Sequence, residues 1–193
     1  GFGGSCFQKD LLNIIYLCRY YGLEEVAKYW EQVLSLNDWQ KKRISKLIIE
    51  TFFGTITSKN ILILGFAFKS NTNDIRESPA IRISMDLIEN GANLIIHDPK
   101  VTEFQIKSIL NKSVTFSEGK WSYSKDIYIA SENADAIVIV TEWDEYQHID
   151  WNKVSKLMRK PAYVFDTRGI IDERNFIKND LNFWKIGKGL ISS

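Results

Sequence analysis

Residues 59–69 read Lys-Asn-Ile-Leu-Ile-Leu-Gly-Phe-Ala-Phe-Lys, and this stretch decides the fold. Four apolar residues in a row that end at a glycine predict a short, fully buried strand of a parallel sheet. Similar apolar runs recur further along the chain, each followed by polar residues. They predict four more strands, at residues 93–96, 136–140, 162–165 and 181–186.

Helical segments alternate with these strands. Ser78 followed by Pro79 predicts a helix start, with the proline at the first helical position, and Gly91 predicts its end. A short helix is predicted at residues 105–110. This alternation predicts an α/β fold, a Rossmann-like, doubly wound, mostly parallel sheet. Because such sheets bind ligands beyond the carboxyl ends of their strands, we expect the segments that follow the strands to cluster there: residues 66–76, 97–100, 141–144 and 166–168.

The first part of the chain has a helical pattern throughout. Tyr21 and Gly22 predict the end of a first helix. Apolar spacing then predicts two more helices, at residues 23–36 and 39–53, with Asn37 and Asp38 as punctuation between them. We therefore expect two units, a helical segment at residues 1–56 and the α/β domain at residues 57–193.

Composition argues against several classes of protein. The 193 residues include 25 basic and 24 acidic side chains, so no general attraction to nucleic acid or to a membrane surface is expected. No apolar run approaches the length of a membrane span. The two cysteines, Cys6 and Cys18, predict reduced thiols in a cytoplasmic protein. His97 and His148 lack the spacing of metal ligands, so we expect no metal site.

Residues 1–10 read Gly-Phe-Gly-Gly-Ser-Cys-Phe-Gln-Lys-Asp and carry the most reactive side chain. We predict that Cys6 lies in the first turn of a helix, with Ser5 and Gln8 forming a capping box. The helix dipole favours a thiolate there, and Asp10 lies on the same helix face. A lone cysteine is, however, often a small buried apolar residue, and a glycine-rich end is often frayed. The residues alone leave both interpretations open.

The turn after the first strand has a single glycine, Gly65, where a dinucleotide fingerprint needs three. We therefore do not expect the primary NAD site in this domain. Lys69, four residues later, either neutralises a phosphate or is an ordinary surface lysine.

Two arginines follow predicted strands and also have two interpretations each. Arg76 either pairs with Asp74 or Glu77, or lies in a polar loop that binds an anion at a helix start. Arg168 either pairs with Asp166 or uses its planar guanidinium to bind a phosphate or a base edge.

The segment around Cys6 resembles the catalytic-cysteine motif of the UDP-glucose 6-dehydrogenase family, and the resemblance covers essentially the whole chain. Its FQKD ending favours UDP-glucose over the related substrates GDP-mannose and UDP-N-acetylmannosamine. Five later motifs resemble the same family, in the same order: ILGFAFK at residues 63–69, DIRES at 74–78, HDPK at 97–100, TEWD at 141–144 and FDTR at 165–168.

This resemblance implies oxidation of UDP-glucose to UDP-glucuronate with two NAD and one water. Cys6 would form a thiohemiacetal and then a thioester, and Asp10 would assist water or proton transfer. The residues that the resemblance assigns to the UDP-sugar are Gly1, Phe2, Gly3, Phe68, Lys69 and Arg168. Those that it assigns to NAD are Cys6, Phe7, Gln8, Lys9 and Arg76.

The resemblance also implies a partner domain. The N-terminal NAD-binding domain of the family has no counterpart here, so we expect a C-terminal portion that is inactive alone. By resemblance the intact enzyme is a homo-oligomer, a dimer or larger. The alternative is a non-catalytic UDP-sugar-binding or assembly module.

Overall fold

A computed structural model of the chain describes residues 1–113, 119–176 and 179–191. Two helices come first and an α/β domain follows, so the predicted fold class is confirmed. Among the described helices, none combines the length and the apolar composition that a membrane crossing requires.

The N-terminal part contains two helices, α1 at Ser5–Tyr20 and α2 at Glu24–Thr51. Helix α1 ends where predicted, at Tyr21, and Gly22 follows with a φ of +73°. The prediction of two helices across residues 23–53 is wrong, since α2 runs through Asn37 and Asp38 without a break. Asn37 is buried in the middle of this helix and bonds a distant backbone segment instead of capping a helix end.

Within the described ranges the sheet has seven strands, in the order β3-β2-β1-β4-β5-β6-β7. The first six pair in parallel and the last pairs antiparallel with its neighbour. The strand order reverses direction between β1 and β4, which makes the carboxyl end of this pair the usual ligand crevice of a doubly wound sheet. The strands are β1 at Asn60–Leu64, β2 at Asn93–His97, β3 at Lys120–Tyr123, β4 at Ala136–Ile139, β5 at Tyr163–Asp166, β6 at Asn182–Lys185 and β7 at Gly189–Ile191.

All five strands expected from apolar runs are present. The two strands that sequence reasoning missed, β3 and β7, lie at the edges of the sheet. Strand β3 has the sequence Lys-Trp-Ser-Tyr and is half exposed, so it has no apolar run to reveal it. Strand β7 is three residues long, too short for a period-two pattern to be visible.

Helices connect the strands, and the helix predicted at Ser78 is present. Ser78 caps helix α3, its side chain accepting a hydrogen bond from the Ala80 N–H at 3.3 Å. Helix α4 is longer at both ends than the predicted 105–110. The helices are α3 at Pro79–Glu89, α4 at Glu103–Ser113, α5 at Ile127–Ser131, α6 at Asp144–Gln147 and α7 at Trp151–Leu157, with a 3₁₀ turn at Glu173–Asn175.

The central strands form the core of the molecule. Every side chain from Ile61 to Leu64 and from Ala136 to Ile139 is buried. Ile48 and Phe52, near the end of α2, pack into the same core. The second half of α2 is therefore fixed against the sheet.

The turn after β1 requires Gly65. Its φ is +93°, and a Cβ at this position would meet the Thr141 backbone nitrogen at 2.8 Å and its hydroxyl oxygen at 2.5 Å. The turn thus brings the chain after β1 directly against the chain after β4.

We predict that Gly65→Ala lowers the free energy of unfolding by about 3 kcal/mol, because both the backbone strain and the clash with Thr141 oppose it. Gly187→Ala is the matched control, since Gly187 has a φ of +83° but nothing within 4 Å of its Cβ position. The control should cost about 1 kcal/mol, from backbone strain alone. Urea unfolding of both variants measures the difference, and equal losses would contradict the assigned contact.

Candidate functional site

The segments that follow β1, β2, β4 and β5 lie together at the carboxyl edge of the sheet. The Gly65 N–H donates to the His97 carbonyl at 2.8 Å, which joins the first two segments. The Thr141 hydroxyl donates to the Ala67 carbonyl at 2.6 Å, which joins the third. Four of the candidate site residues lie in these segments, namely Phe68, Lys69, Arg76 and Arg168.

Asp98, which directly follows β2, is the central acceptor of this edge. Its side chain is 2% exposed, and one oxygen accepts the N–H groups of Phe66 at 2.7 Å and Ala67 at 3.0 Å. The same oxygen accepts the indole N–H of Trp143 at 3.3 Å. The other oxygen accepts the N–H groups of the next turn, Lys100 at 2.9 Å and Val101 at 2.8 Å.

Sequence reasoning included Asp98 in a motif but gave it no role. An aspartate that leaves a buried strand and precedes a proline is a common turn-forming signal, and it could have indicated the local bonds. The bonds to Phe66 and Trp143 depend on tertiary structure and have no local signal.

His97 and Tyr146 form a buried pair beside Asp98. The Tyr146 hydroxyl lies 3.1 Å from His97 Nδ1 and donates to the His97 carbonyl at 3.2 Å. Burial lowers the pKa of His97, although the nearby carboxylate of Asp98 opposes this. Burial also raises the pKa of Tyr146 well above its ordinary value. Both side chains are therefore neutral at pH 7, and their hydrogen bonds fix Tyr146 to the end of β2 at this edge.

Phe68 and Lys69 lie in the loop after β1. The Phe68 N–H donates to the Asp74 carbonyl at 3.0 Å, which closes the loop on itself. The Phe68 ring is partly buried, and the exposed Lys69 ammonium lies 5.4 Å from the centre of that ring. The loop thus presents an aromatic ring with a cation beside it.

Arg76 pairs with Asp74, one of the two partners that the sequence allowed. Its Nε lies 3.0 Å from one carboxylate oxygen and its Nη2 lies 2.7 Å from the other. The bonded arginine lowers the pKa of Asp74, and the carboxylate raises the pKa of Arg76.

Arg168 does not pair with Asp166, and that alternative is wrong. Its guanidinium pairs with the carboxylate of Glu142, which also accepts the Ser70 N–H at 3.4 Å. Asp166 is buried and instead accepts backbone N–H groups, from Arg168 at 3.0 Å and from Gly169 at 2.7 Å. Because the Asp166 oxygens already accept these backbone N–H groups, the Arg168 side chain extends to Glu142 in the segment after β4.

The Cys6 segment, residues 1–10, lies against the loop after β1, residues 65–78. Gly4 has a φ of +82°, and its N–H donates to the Arg76 carbonyl at 2.9 Å. A Cβ on Gly4 would meet the Phe68 ring at 2.8 Å, and one on Gly3 would meet the Glu77 carbonyl at 2.6 Å. The two glycines are therefore required by this close backbone approach.

Cys6 is the second residue of α1 and is exposed. The predicted capping box is wrong, because Gly4 holds the N-cap position and no side chain caps the helix. Ser5 lies inside the helix, with its hydroxyl 4.0 Å from the Cys6 sulfur. The left-handed backbone of Gly4 places the helix start one residue earlier than the box requires.

The other predicted site residues lie in two places, the first turns of α1 and a cleft that contains Gly1. Phe7 lies on α1 and contacts the Phe2 ring at a centroid distance of 4.7 Å. Gln8, Lys9 and Asp10 also lie on the first turns of α1, and Lys9 and Asp10 are exposed. Gly1 lies apart from the Phe68 ring, in a cleft shared with Lys41, Arg43, Thr167, Arg168 and Trp184.

The turn after β1 lacks the open, glycine-lined backbone of a dinucleotide fingerprint. Thr141 fills the space beside Gly65, and the N–H groups of Phe66 and Ala67 already bond Asp98. No glycine-lined cradle of free N–H groups is left for a pyrophosphate after β1. Within the described ranges, no cluster of three or more His, Cys, Asp or Glu side chains is suited to a metal ion.

We predict that Asp98→Asn lowers the free energy of unfolding by about 3 kcal/mol, because an amide replaces one acceptor oxygen with a donor facing backbone N–H groups. Asp126→Asn is the control. Asp126 is exposed and caps α5 by accepting the N–H groups of Tyr128 and Ile129, a role that asparagine fills equally well. Thermal melts should separate the two variants, and an unchanged Asp98→Asn melt would argue against the central role of this carboxylate.

Comparison with known proteins agrees with this geometry. A model of the UDP-glucose/GDP-mannose dehydrogenase family, UDP binding domain, matches residues 62–173, more than half of the chain. UDP-glucose 6-dehydrogenase of Drosophila melanogaster is 47% identical over 193 residues, which cover 97% of this chain and 40% of that protein. The Mus musculus enzyme of the same name is 48% identical over 176 residues, 89% of this chain and 36% of that protein.

A solved structure shows the same fold. The UDP-glucose dehydrogenase of the hyperthermophilic archaeon Pyrobaculum islandicum has a TM-score of 0.73 and 29% identity, over 96% of this chain and 37% of that chain. The chain thus spans about 36–40% of the length of these relatives. The match over residues 62–173 places this chain in the UDP-glucose/GDP-mannose dehydrogenase family, as a carrier of its UDP binding domain.

Proposed function

We propose that this chain is the C-terminal part of an NAD-dependent UDP-glucose 6-dehydrogenase, which oxidises UDP-glucose to UDP-glucuronate. The observation that carries the proposal is the contact between the Cys6 segment and the loop after β1. Gly4 bonds the Arg76 carbonyl and lies against the Phe68 ring, so the Cys6 thiol would stand beside a loop that would bind UDP.

The nucleotide-sugar would lie along that contact. Phe68 supplies an aromatic face, and Lys69 is an exposed cation beside it that suits a diphosphate. Gly1, Phe2 and Gly3 would lie along the sugar, and the two glycines would permit a close backbone approach to it. Gly3 borders the loop after β1, whereas Gly1 lies in the cleft that contains Arg168.

Arg168 would hold the nucleotide from the other side of the site. Its side chain is about one third exposed and is oriented by Glu142. A guanidinium held by one carboxylate keeps further N–H donors for an incoming phosphate or base edge. Glu142, which the sequence analysis named only as part of a motif, would thus orient Arg168 in the site.

Cys6 would provide covalent catalysis. Its exposed sulfur would add to the carbon of the sugar aldehyde, and the thiol proton would go to the former carbonyl oxygen to give a thiohemiacetal. NAD would supply the two-electron oxidant that turns this adduct into a thioester, and water would then hydrolyse the thioester to release the carboxylate and the thiol. Asp10, four residues later and exposed, would hold or move the proton of that water. Splitting the oxidation this way turns one difficult step into two easier ones.

NAD would be bound mainly by a domain outside this chain. The described residues lack a dinucleotide cradle, so this chain would contribute only contacts from the start of α1 and from Arg76. The contributing residues would be Cys6, Phe7, Gln8, Lys9 and Arg76.

We propose that the boundary between the helical segment and the UDP domain falls near residues 56–57. We also propose that the chain alone does not turn over UDP-glucose.

The helical segment would contact other parts of the intact enzyme. Helices α1 and α2 and the turn between them expose several large apolar side chains, among them Tyr16, Tyr20, Tyr21, Leu23 and Tyr29. Surfaces of this kind mark interaction sites. We propose that the NAD-binding domain and a second subunit cover them in a homo-oligomer.

UDP binding to the purified chain tests the proposal. Isothermal titration calorimetry should show UDP binding, and Arg168→Ala should weaken it about tenfold through loss of a charge-assisted hydrogen bond. Arg174→Ala is the matched control, because Arg174 is exposed and forms its own bidentate pair with Asp172. Tighter binding of GDP would overturn the assignment of UDP-glucose, and equal effects of the two variants would remove Arg168 from the site.

The role of Cys6 is tested in the dehydrogenase that contains this chain. Cys6→Ser should reduce UDP-glucuronate formation by about a thousandfold or more, since the alcohol is a much weaker nucleophile at neutral pH. Cys18→Ser is the control, because Cys18 lies on the same helix and is also a free thiol. Similar losses in both variants would contradict the assignment. NADH production by the isolated chain would contradict the need for a second domain.

A further inference from the structure

Helix α2 carries a buried row of polar side chains, Asn37, Lys41 and Ser45, which we call the polar stripe. They are spaced four residues apart and therefore lie on one face of the helix. Their exposures are 4%, 7% and 3%. A buried polar side chain on a helix is stabilising only when it has partners, so each of these should bond another segment.

The structure shows a different partner for each residue of the stripe. Asn37 bonds the backbone of Phe2, and Lys41 pairs with Glu77 at 3.5 Å. The Ser45 hydroxyl donates to the Asp86 carboxylate on α3 at 2.6 Å. These partners lie in the Cys6 segment, in the loop after β1 and in the helix that follows that loop.

The Asn37 side chain forms two hydrogen bonds with the backbone of one residue, Phe2. Its carbonyl oxygen accepts the Phe2 N–H at 2.7 Å, and its amide nitrogen donates to the Phe2 carbonyl at 3.2 Å. A carboxamide presents an acceptor oxygen and a donor nitrogen in one plane, and these complement the N–H and C=O groups of one extended residue. Both polar groups of Phe2 are thereby held by one side chain.

This contact controls the start of α1. Between Phe2 and Cys6 lie Gly3, Gly4 and Ser5, and the two glycines give the segment wide conformational freedom. The segment is held at Phe2 by Asn37 and at Gly4 by the Arg76 carbonyl. Without the first anchor, Phe2 would keep its ring contact with Phe7, and the Gly4 bond and the packing against Phe68 would have to restrain the two flexible glycines.

Lys41 fixes the surface on which the segment lies. Its ammonium, on a side chain that is 8% exposed, holds the Glu77 carboxylate, and the Glu77 carbonyl borders Gly3. The same helix face thus restrains both the segment and the loop beneath it.

We infer that Asn37 is a positioning residue, which sets the Cys6 sulfur relative to the substrate held by the loop after β1. The inference rests on the proposed function, because it concerns the same site. Asn37 contacts neither Cys6 nor the loop that would hold the substrate, and it acts through the backbone of Phe2.

Substitutions at Asn37 test the inference in the dehydrogenase that contains this chain. Asn37→Ala removes both bonds, and it should lower kcat for UDP-glucose by about tenfold while KM stays within about twofold, because orientation is lost but UDP contacts remain. Asn37→Asp keeps an acceptor for the Phe2 N–H and loses the donor, so its kcat should be intermediate. Gln32→Ala, at an exposed position of the same helix, is the control and should leave kcat unchanged.

Hydrogen exchange of the purified chain provides a second readout. In Asn37→Ala the Gly4 amide should exchange at least about tenfold faster, while the amides of β1 keep their protection. Faster exchange throughout the chain, or a kcat equal to that of the unsubstituted enzyme, would overturn the inference. Failure of the proposed function has a different signature, since the unsubstituted enzyme would then neither bind UDP nor form UDP-glucuronate.

Discussion

The carboxylate of Asp98 is the interaction on which the candidate site depends. It accepts five N–H groups from three segments, the chain after β1, the chain after β2 and Trp143 after β4. A carboxylate buried without such donors would be strongly unfavourable, so the loops can fold only in an arrangement that supplies them. The loop that carries Phe68 and Lys69 takes its starting direction from this arrangement, as does the segment that carries Glu142.

A second constraint joins the helical segment to the sheet. The glycines before Cys6 pack where side chains would not fit, against Phe68 and the Glu77 carbonyl. The end of α2 packs into the sheet core through Ile48 and Phe52, and its middle bonds the Cys6 segment through Asn37. One rigid helix therefore connects the core of the α/β domain with the position of the thiol.

Much of the fold could be predicted from sequence because its signals are local. Apolar runs marked the five central strands, and Ser78, Pro79 and Gly91 marked a helix that is present as expected. Edge strands β3 and β7 were missed, since they are half exposed or very short and have no apolar run.

The errors at the site have a common physical cause. Asn37 suggested a helix break because asparagine commonly caps helices, yet a tertiary contact with Phe2 keeps it inside α2. Sequence reasoning gave Asp166 as a partner for Arg168 because the two residues are close in sequence. In the structure Asp166 accepts backbone N–H groups, and the Arg168 guanidinium pairs with the Glu142 carboxylate. Local sequence singled out these residues, whereas distant contacts decided what each one bonds.

The central claim is that UDP binds where the Cys6 segment crosses the loop after β1. Titration of UDP into the isotopically labelled chain, followed by amide NMR, tests this most directly. The account predicts shifts concentrated at Gly3, Gly4, Phe68, Lys69 and Arg168. Shifts confined to another surface would contradict it, for example the groove along α2 that is lined by Trp39, Lys46 and Glu50.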